Sequence, residues 1–291
     1  MTTANFTPAA GFRVQTGLLA TEVTSHDGVY SWQHRLGAHA PLSFSTLVPS
    51  GLTNMTHDSE LVIWGQGDSS DRSYRTHAGA SLAIHLLDPK PVKLRVIGKL
   101  WGAALNEIHN VRPDSKVAFT KPRTLQRAAA WLDGAWKPAR TVLGTAGLNR
   151  MNDWAIRMSE GHHRVLVHGC PGMAHWVLTA DARSGSLLTG EDTGVANPVY
   201  DFGWILGEIA ELRAFHPLLG PVLNQLEEGL LDCFPGVPNL NDLNLARAFR
   251  LVHHAFDWHH YAGASIEQAT LLLRLATNYI SNPVGTDQEI S

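Results

Sequence analysis

Residues 165–178, VLVHGCPGMAHWVL, constrain the fold more than any other part of the chain. Two β-type apolar runs flank a loop of small and polar residues, and this unit stands among segments of helical periodicity. Upstream, Leu94, Ile97, Trp101, Ala104, Leu105 and Ile108 recur at steps of three and four, so they share one helix face. His109 and Asn110 close that helix, because Pro113 forbids simple continuation. Residues 125–132 predict a second helix. Downstream, residues 204–212, 245–258 and 266–280 predict three more.

The first third reads differently. Scattered β-formers run over residues 12–23, His26-Asp27-Gly28 is a turn signal, and Val29 to Trp32 predicts the returning strand of a hairpin. Residues 42–48 predict another strand, closed by Pro49-Ser50-Gly51. Residues 60–64 form a compact apolar run ending in Gly65 and Gly67, which suits a buried strand leading into a loop. The expected organisation is a β-rich lobe over residues 1–67 and a helical lobe over residues 68–291, with no internal repeat. With 291 residues, 44% of them hydrophobic, the chain has material for a sizeable core. A net charge of −3 argues against a dedicated nucleic-acid binder. Only Cys170 and Cys233 occur, which excludes a disulfide scaffold. No signal-like start and no apolar run of the ~18 residues a membrane span needs can be found, so a soluble cytoplasmic protein is expected.

Three further features follow one another in order. His168-Gly169-Cys170 lies in the loop, Thr189-Gly190-Glu191-Asp192 follows an apolar run, and Asn197-Pro198-Val199-Tyr200-Asp201 opens a helix. This order resembles the aminoglycoside phosphotransferase and choline kinase-like family, a branch of the protein-kinase-like fold. Residues 100–109 resemble that family's helix before the catalytic loop, and residues 247–260 its late helices. The resemblance covers most of the chain and implies a two-lobed α+β architecture with ATP and Mg²⁺ as cofactors. It places a catalytic base in a His-Gly-Asp loop, a magnesium-binding Asn after it, a magnesium-binding Asp further on, and a structural Asp in a Pro-x-x-Asp segment.

His168 and Gly169 match, Asp192 fits the metal-binding acid, and Asp201 fits the structural one. The departures fall at the chemistry. Cys170 stands at the base position and His175 at the Asn position. A thiol is a poor acceptor near neutral pH and imidazole suits zinc better than magnesium. The strand that should carry a phosphate-binding lysine reads Ser31-Trp32-Gln33-His34-Arg35, and no lysine precedes Lys90. Arg35 and His34 are the substitutes on offer for phosphate. Trp64 and the Gly65-Gln66-Gly67 turn are candidates for the hinge that meets an adenine ring, or for a plain interlobe linker.

Each candidate carries a bland alternative. Cys170 is either a nucleophile or metal ligand with His168 and His175, or a small inert hydrophobe. His168 is expected to support the loop by hydrogen bonding. Asp192 is a divalent-cation ligand or a solvated turn acid beside Glu191. Asp201 reads as a helix N-cap. His253-His254 and His259-His260 read as a polar helix face, with a metal site as the alternative, and the nine tryptophans as core and lobe-interface residues.

The favoured expectation is therefore a degenerate phosphotransferase, a pseudokinase that binds a protein or peptide partner, in a peptide- or natural-product-tailoring context suggested by the resemblance. The alternative is an active ATP- and Mg²⁺-dependent phosphotransferase acting on a small-molecule hydroxyl or on Ser/Thr of a peptide. A thiol or zinc-dependent activity at Cys170 is the third.

Overall fold

The computed structural model describes residues 11–46, 60–87, 93–111, 120–179, 181–237 and 239–281. The Asp27-Gly28 dipeptide makes the expected turn: both residues adopt positive φ, at 50° and 77°. It joins β2 (Leu19–His26) to β3 (Val29–Leu36) in register from His26↔Val29 to Leu19↔Leu36. With β1 (Phe12–Gln15), β5 (Gln66–Gly67) and β6 (Asp71–Thr76) they form one antiparallel sheet in the order β1-β2-β3-β6-β5. The period-2 alternation of β3 sends Trp32 and His34 inward, and leaves Ser31 and Arg35 on the outer face.

This sheet extends beyond the expected division at residue 67. β6 pairs with β3 over Tyr30↔Thr76 to Arg35↔Asp71, so the chain leaves the N-terminal sheet only after Thr76. Asp-Arg-Ser-Tyr-Arg-Thr is too polar to read as a strand by composition, and its pairing with β3 overrides that. The crossing to the helical lobe is made by His77, Ala78 and Gly79. The Gly65 to Gly67 turn lies within the N-terminal part. Residues 42–46 form no strand, and the rest of that expected strand, with Pro49-Ser50-Gly51, lies outside the described residues.

A second sheet joins the lobes. β4 (Val62–Trp64) runs parallel to β10 (Gly185–Thr189), which pairs with β9 (Trp176–Leu178), and β9 pairs with β7 (Ala80–Ser81). A two-stranded ladder of β8 (Val165–Val167) and β11 (Gly194–Ala196) brings the loops that follow β8 and β10 side by side.

The helical lobe contains α1 (Leu82–Leu87), α2 (Leu94–Asn110), α3 (Arg123–Arg127), α4 (Ala129–Leu132), α5 (Lys137–Glu160), α6 (Val199–Phe215), α7 (Gly220–Leu231), α8 (Leu240–Tyr261) and α9 (Ile266–Ser281). The face predicted from Leu94 to Ile108 is the buried face of α2. Helices α1, α5 and α7 were not expected; α5 carries little periodicity and breaks at Gly144, where the backbone is non-helical. The core is aromatic: Trp101 stacks on Trp176 with centroids 5.8 Å apart, and Trp154 stacks on Tyr200 at 6.1 Å. Among the described residues, no helix is long and apolar enough to cross a membrane.

Close approach of α6 to α8 fixes the floor beneath the loop after β8. Gly203 allows it, since a Cβ there would overlap the Cβ of Ala246 and crowd its backbone. Gly203→Val should lower stability by about 2–3 kcal/mol, because neither helix backbone can give way cheaply. Urea unfolding of the two proteins measures this; an unchanged midpoint would contradict the packing.

Candidate functional site

The loop after β8 is held from below by one carboxylate. Asp201, on the first turn of α6, is fully buried and accepts hydrogen bonds from the backbone N–H of His168 (2.8 Å) and of Gly169 (2.9 Å). His109, at the end of α2, lies 2.9 Å from the same carboxylate. Asp201 is therefore an anchor and not the N-cap the sequence suggested; the Asn197 side chain accepts from Val199 N–H instead. Thr124 adds a bond from its hydroxyl to the Gly169 carbonyl at 2.6 Å.

His168 plays the supporting role expected of it. Its Nε2 lies 2.8 Å from the Leu188 carbonyl, which fixes Nε2 as the protonated nitrogen, and its Nδ1 accepts from Cys170 N–H at 3.2 Å. Cys170 then points into a cavity of about 270 Å³ bounded by the β1–β2 turn, α3, α6 and α8. Burial pushes the Cys170 thiol well above its ordinary pKa, and the nearby Asp192 carboxylate adds to the rise. The thiol is protonated at neutral pH, so neither a base nor a nucleophile is prepared there.

Asp192 does not stand free for a cation. Its carboxylate is 3.1 Å from Arg123 Nη1 and 3.9 Å from Arg127 Nη1, all three side chains being at least nine-tenths buried. Arg127 also binds Asp257 at 2.7 Å, and Arg250 pairs with Glu211. Glu208 accepts from Met173 N–H at 2.8 Å, and burial raises its pKa. The cavity wall thus alternates guanidinium and carboxylate groups.

His34 leaves the phosphate-contact role expected of it for another: its Nδ1 pairs with Glu191, and both side chains are buried. His175 sits against this pair, with its ring centroid 5.7 Å from His34 and 5.4 Å from His168. Burial lowers the His175 pKa to about 4, so its imidazole is neutral. Burial alone would raise the Glu191 pKa, but the His34 imidazole bonded to it holds it below the usual carboxylate range.

Arg35 lies on the outer face of the sheet, half exposed, pairing with Asp71 at 3.1 Å and Glu22 at 3.5 Å. It is removed from the cleft by the same alternation that turns His34 inward. Trp64 pairs with Thr189, and Gly65 N–H donates to the Thr189 carbonyl at 2.8 Å, so both brace β10 and neither forms a hinge.

The layer between the N-terminal sheet and the β9–β10 pair is filled by Trp32. Its indole is 2% exposed, packs with Val23, Tyr74, Val177 and Leu188, and donates from Nε1 to the Ala78 carbonyl at 2.9 Å. The turn between β1 and β2 is also closed down: Gly17 N–H donates to the Tyr261 carbonyl at the end of α8, at 2.8 Å. Of the functional residues, Arg123 and Arg127 gain a role only here, because no local pattern marks them as partners of an acid about seventy residues away.

This is the two-lobed kinase-like fold of aminoglycoside phosphotransferases and choline/ethanolamine kinases. An ethanolamine kinase of Plasmodium vivax superposes with TM-score 0.57 at 10% identity, over 94% of this chain and 84% of that one. A spectinomycin phosphotransferase in complex with ADP and spectinomycin gives 0.51 at 9% identity, over 94% and 92%. An amicoumacin kinase in complex with AMP-PNP and Ca²⁺ gives 0.53 at 10%, over 95% and 89%. No protein-family model and no curated protein matches the sequence.

The resemblance implies Mg²⁺, and the residues at the expected ligand positions do not match its preference. Magnesium takes oxygen ligands, whereas here the acid is bound by guanidinium groups and the expected amide is an imidazole. Asp257 gives this charge network a measurable signature. Burial would raise its pKa, but His253 and Arg127 outweigh burial and hold it at about 2, against an ordinary 3.8. A depressed carboxylate stabilises the fold above its unfolded pKa and loses that contribution as pH falls toward its folded one. Between about pH 5 and about pH 3 the wild type should lose about 1 kcal/mol more than Asp257→Asn. Denaturant midpoints at the two pH values test this; parallel losses would sink the assignment.

Proposed function

We propose that this chain is a non-phosphorylating protein on the phosphotransferase fold, a pseudokinase that binds a polar ligand, a peptide or protein segment, in the cavity beside Cys170. The observation that carries the reading is Trp32. The resemblance places adenine against the backbone that links the lobes, between the N-terminal sheet and the helical lobe. In this chain that layer holds an indole whose N–H engages the linking carbonyl of Ala78. An internal side chain at high effective concentration competes against any external ring for the same space. Three further features agree with it: the protonated Cys170 thiol, the Asp192 carboxylate held by Arg123 and Arg127, and His34 engaged with Glu191. Positioned magnesium and a proton acceptor are what phosphoryl transfer needs from a protein.

A second reading, an active ATP-dependent phosphotransferase acting on a small-molecule hydroxyl or on Ser/Thr of a peptide, is favoured by the solved neighbours, which were determined with ADP or AMP-PNP. It requires Trp32 to leave its layer when nucleotide enters.

Thermal unfolding with and without millimolar ATP and Mg²⁺ separates the two. A nucleotide at ~100 times its dissociation constant stabilises the folded state by ~2.7 kcal/mol, a shift of a few degrees. The proposal expects no magnesium-dependent shift, and no ATP turnover in wild type or in Cys170→Asp, because the restored acid still faces a filled site. A shift in the wild type, or turnover gained with Cys170→Asp, would move the assignment to the second reading.

A further inference from the structure

We propose that His34, His175 and Glu191 form a transition-metal site of the kind that takes Zn²⁺, and that the ion fastens the two lobes to each other. The three residues offer one ligand atom each, all within 4.8 Å of one another, and all three are buried. Among the described residues they are the one such cluster. They come from three elements: His34 from β3, His175 from the loop before β9, and Glu191 from the turn between β10 and β11.

Burial by itself does not make a site, but one of these side chains is left without a partner. His175 Nδ1 is buried and has no hydrogen bond, although its ring is packed edge-on against both His34 and His168. A buried imidazole nitrogen in that state has lost its water and gained nothing in return, which is unfavourable unless something else binds it. A metal ion supplies that partner. Two imidazoles and one carboxylate are the donor set of a three-ligand zinc centre, with Zn–N and Zn–O distances near ~2.0–2.2 Å and a fourth position for water. Magnesium prefers an all-oxygen shell and disfavours this set. Outer support is present as well. Tyr74 lies against Glu191, and its ring is 5.1 Å from that of His34. The Glu191 carbonyl accepts from Ser45 N–H at 2.8 Å, which fixes the backbone that carries the acid.

The inferred site does not include Cys170 or Asp192; Asp192 is held by Arg123 and Arg127. His175 and Glu191 also line the cavity beside Cys170, so the site borders the proposed ligand cavity, but zinc retention is read with no ligand present and fails or holds separately from that reading.

The test uses tag-free full-length protein, equilibrated with Zn²⁺ and then freed of excess by gel filtration. Elemental analysis is expected to find one zinc per chain, with a rise in unfolding temperature that EDTA reverses. His34→Gln and His175→Gln should each bind Zn²⁺ roughly 100-fold more weakly, while Cys170→Ser and His254→Gln, which remove potential ligands elsewhere, should keep the wild-type stoichiometry. X-ray absorption on the zinc-loaded wild type reads the same site without any variant: a shell of nitrogen and oxygen with two imidazoles supports it. No retained zinc, a sulfur in the shell, or zinc retention unchanged in folded His175→Gln would overturn it.

Discussion

The buried Asp201 carboxylate is the constraint on which the rest of the site depends. It satisfies two consecutive backbone amides of the loop after β8 and meets His109 from α2. Without it two buried N–H groups would be stranded, at a cost of about 1–3 kcal/mol each. With it, both amides are satisfied, and the loop that carries His168, Cys170 and His175 is tied to α6 at its start. Because Asp201 sits on α6, which packs on α8 through Gly203, loop geometry and helix packing are set by the same few contacts. The helical body and the site are thus a single mechanical unit.

Across the cleft the equivalent constraint is register. The two-residue turn at Asp27-Gly28 fixes how β3 pairs with β2, and hence which of its residues face inward. A slip of one position would exchange Trp32 and His34 for Ser31, Gln33 and Arg35. The filled layer against Ala78 and the His34–Glu191 pair are therefore two results of one alternation. The outward Arg35 is a third, and this is why a cation on the expected strand does not reach the cleft.

These relations also mark how far the sequence was legible. The buried face of α2, the hairpin turn, the long helices near the C-terminus and the loop between β8 and β9 could all be read, because each is a local pattern of period, turn residue or apolar run. β6 could not, since its strand character comes from pairing with β3 and not from Asp-Arg-Ser-Tyr-Arg-Thr itself. Asp192 looked available because nothing nearby in sequence neutralises it; its partners Arg123 and Arg127 are about seventy residues away. Trp32 read as one of nine core or lobe-interface tryptophans; which of them fills the layer between the N-terminal sheet and the β9–β10 pair shows only once the second sheet is formed.

Pairing, more than residue inventory, decides what such a site can do. The loop region is rich in acids, yet Asp192 and Asp257 bind arginines, Glu211 binds Arg250, and Glu191 binds His34. A guanidinium stays charged at any pH the protein meets and holds a carboxylate through a planar fork, so a hard cation would have to displace a permanent partner to reach Asp192 or Asp257. The His34 imidazole is different in kind: a neutral imidazole carries a lone pair and can bind the same ion as the carboxylate beside it. Asp201, Asp257 and Glu211 each meet an imidazole as well, but Asp201 holds two backbone amides and the other two keep an arginine; Glu191 lies with two imidazoles whose ligand atoms are all within 4.8 Å of one another. The same substitutions that weaken the case for magnesium therefore strengthen the case for a softer ion at the neighbouring position.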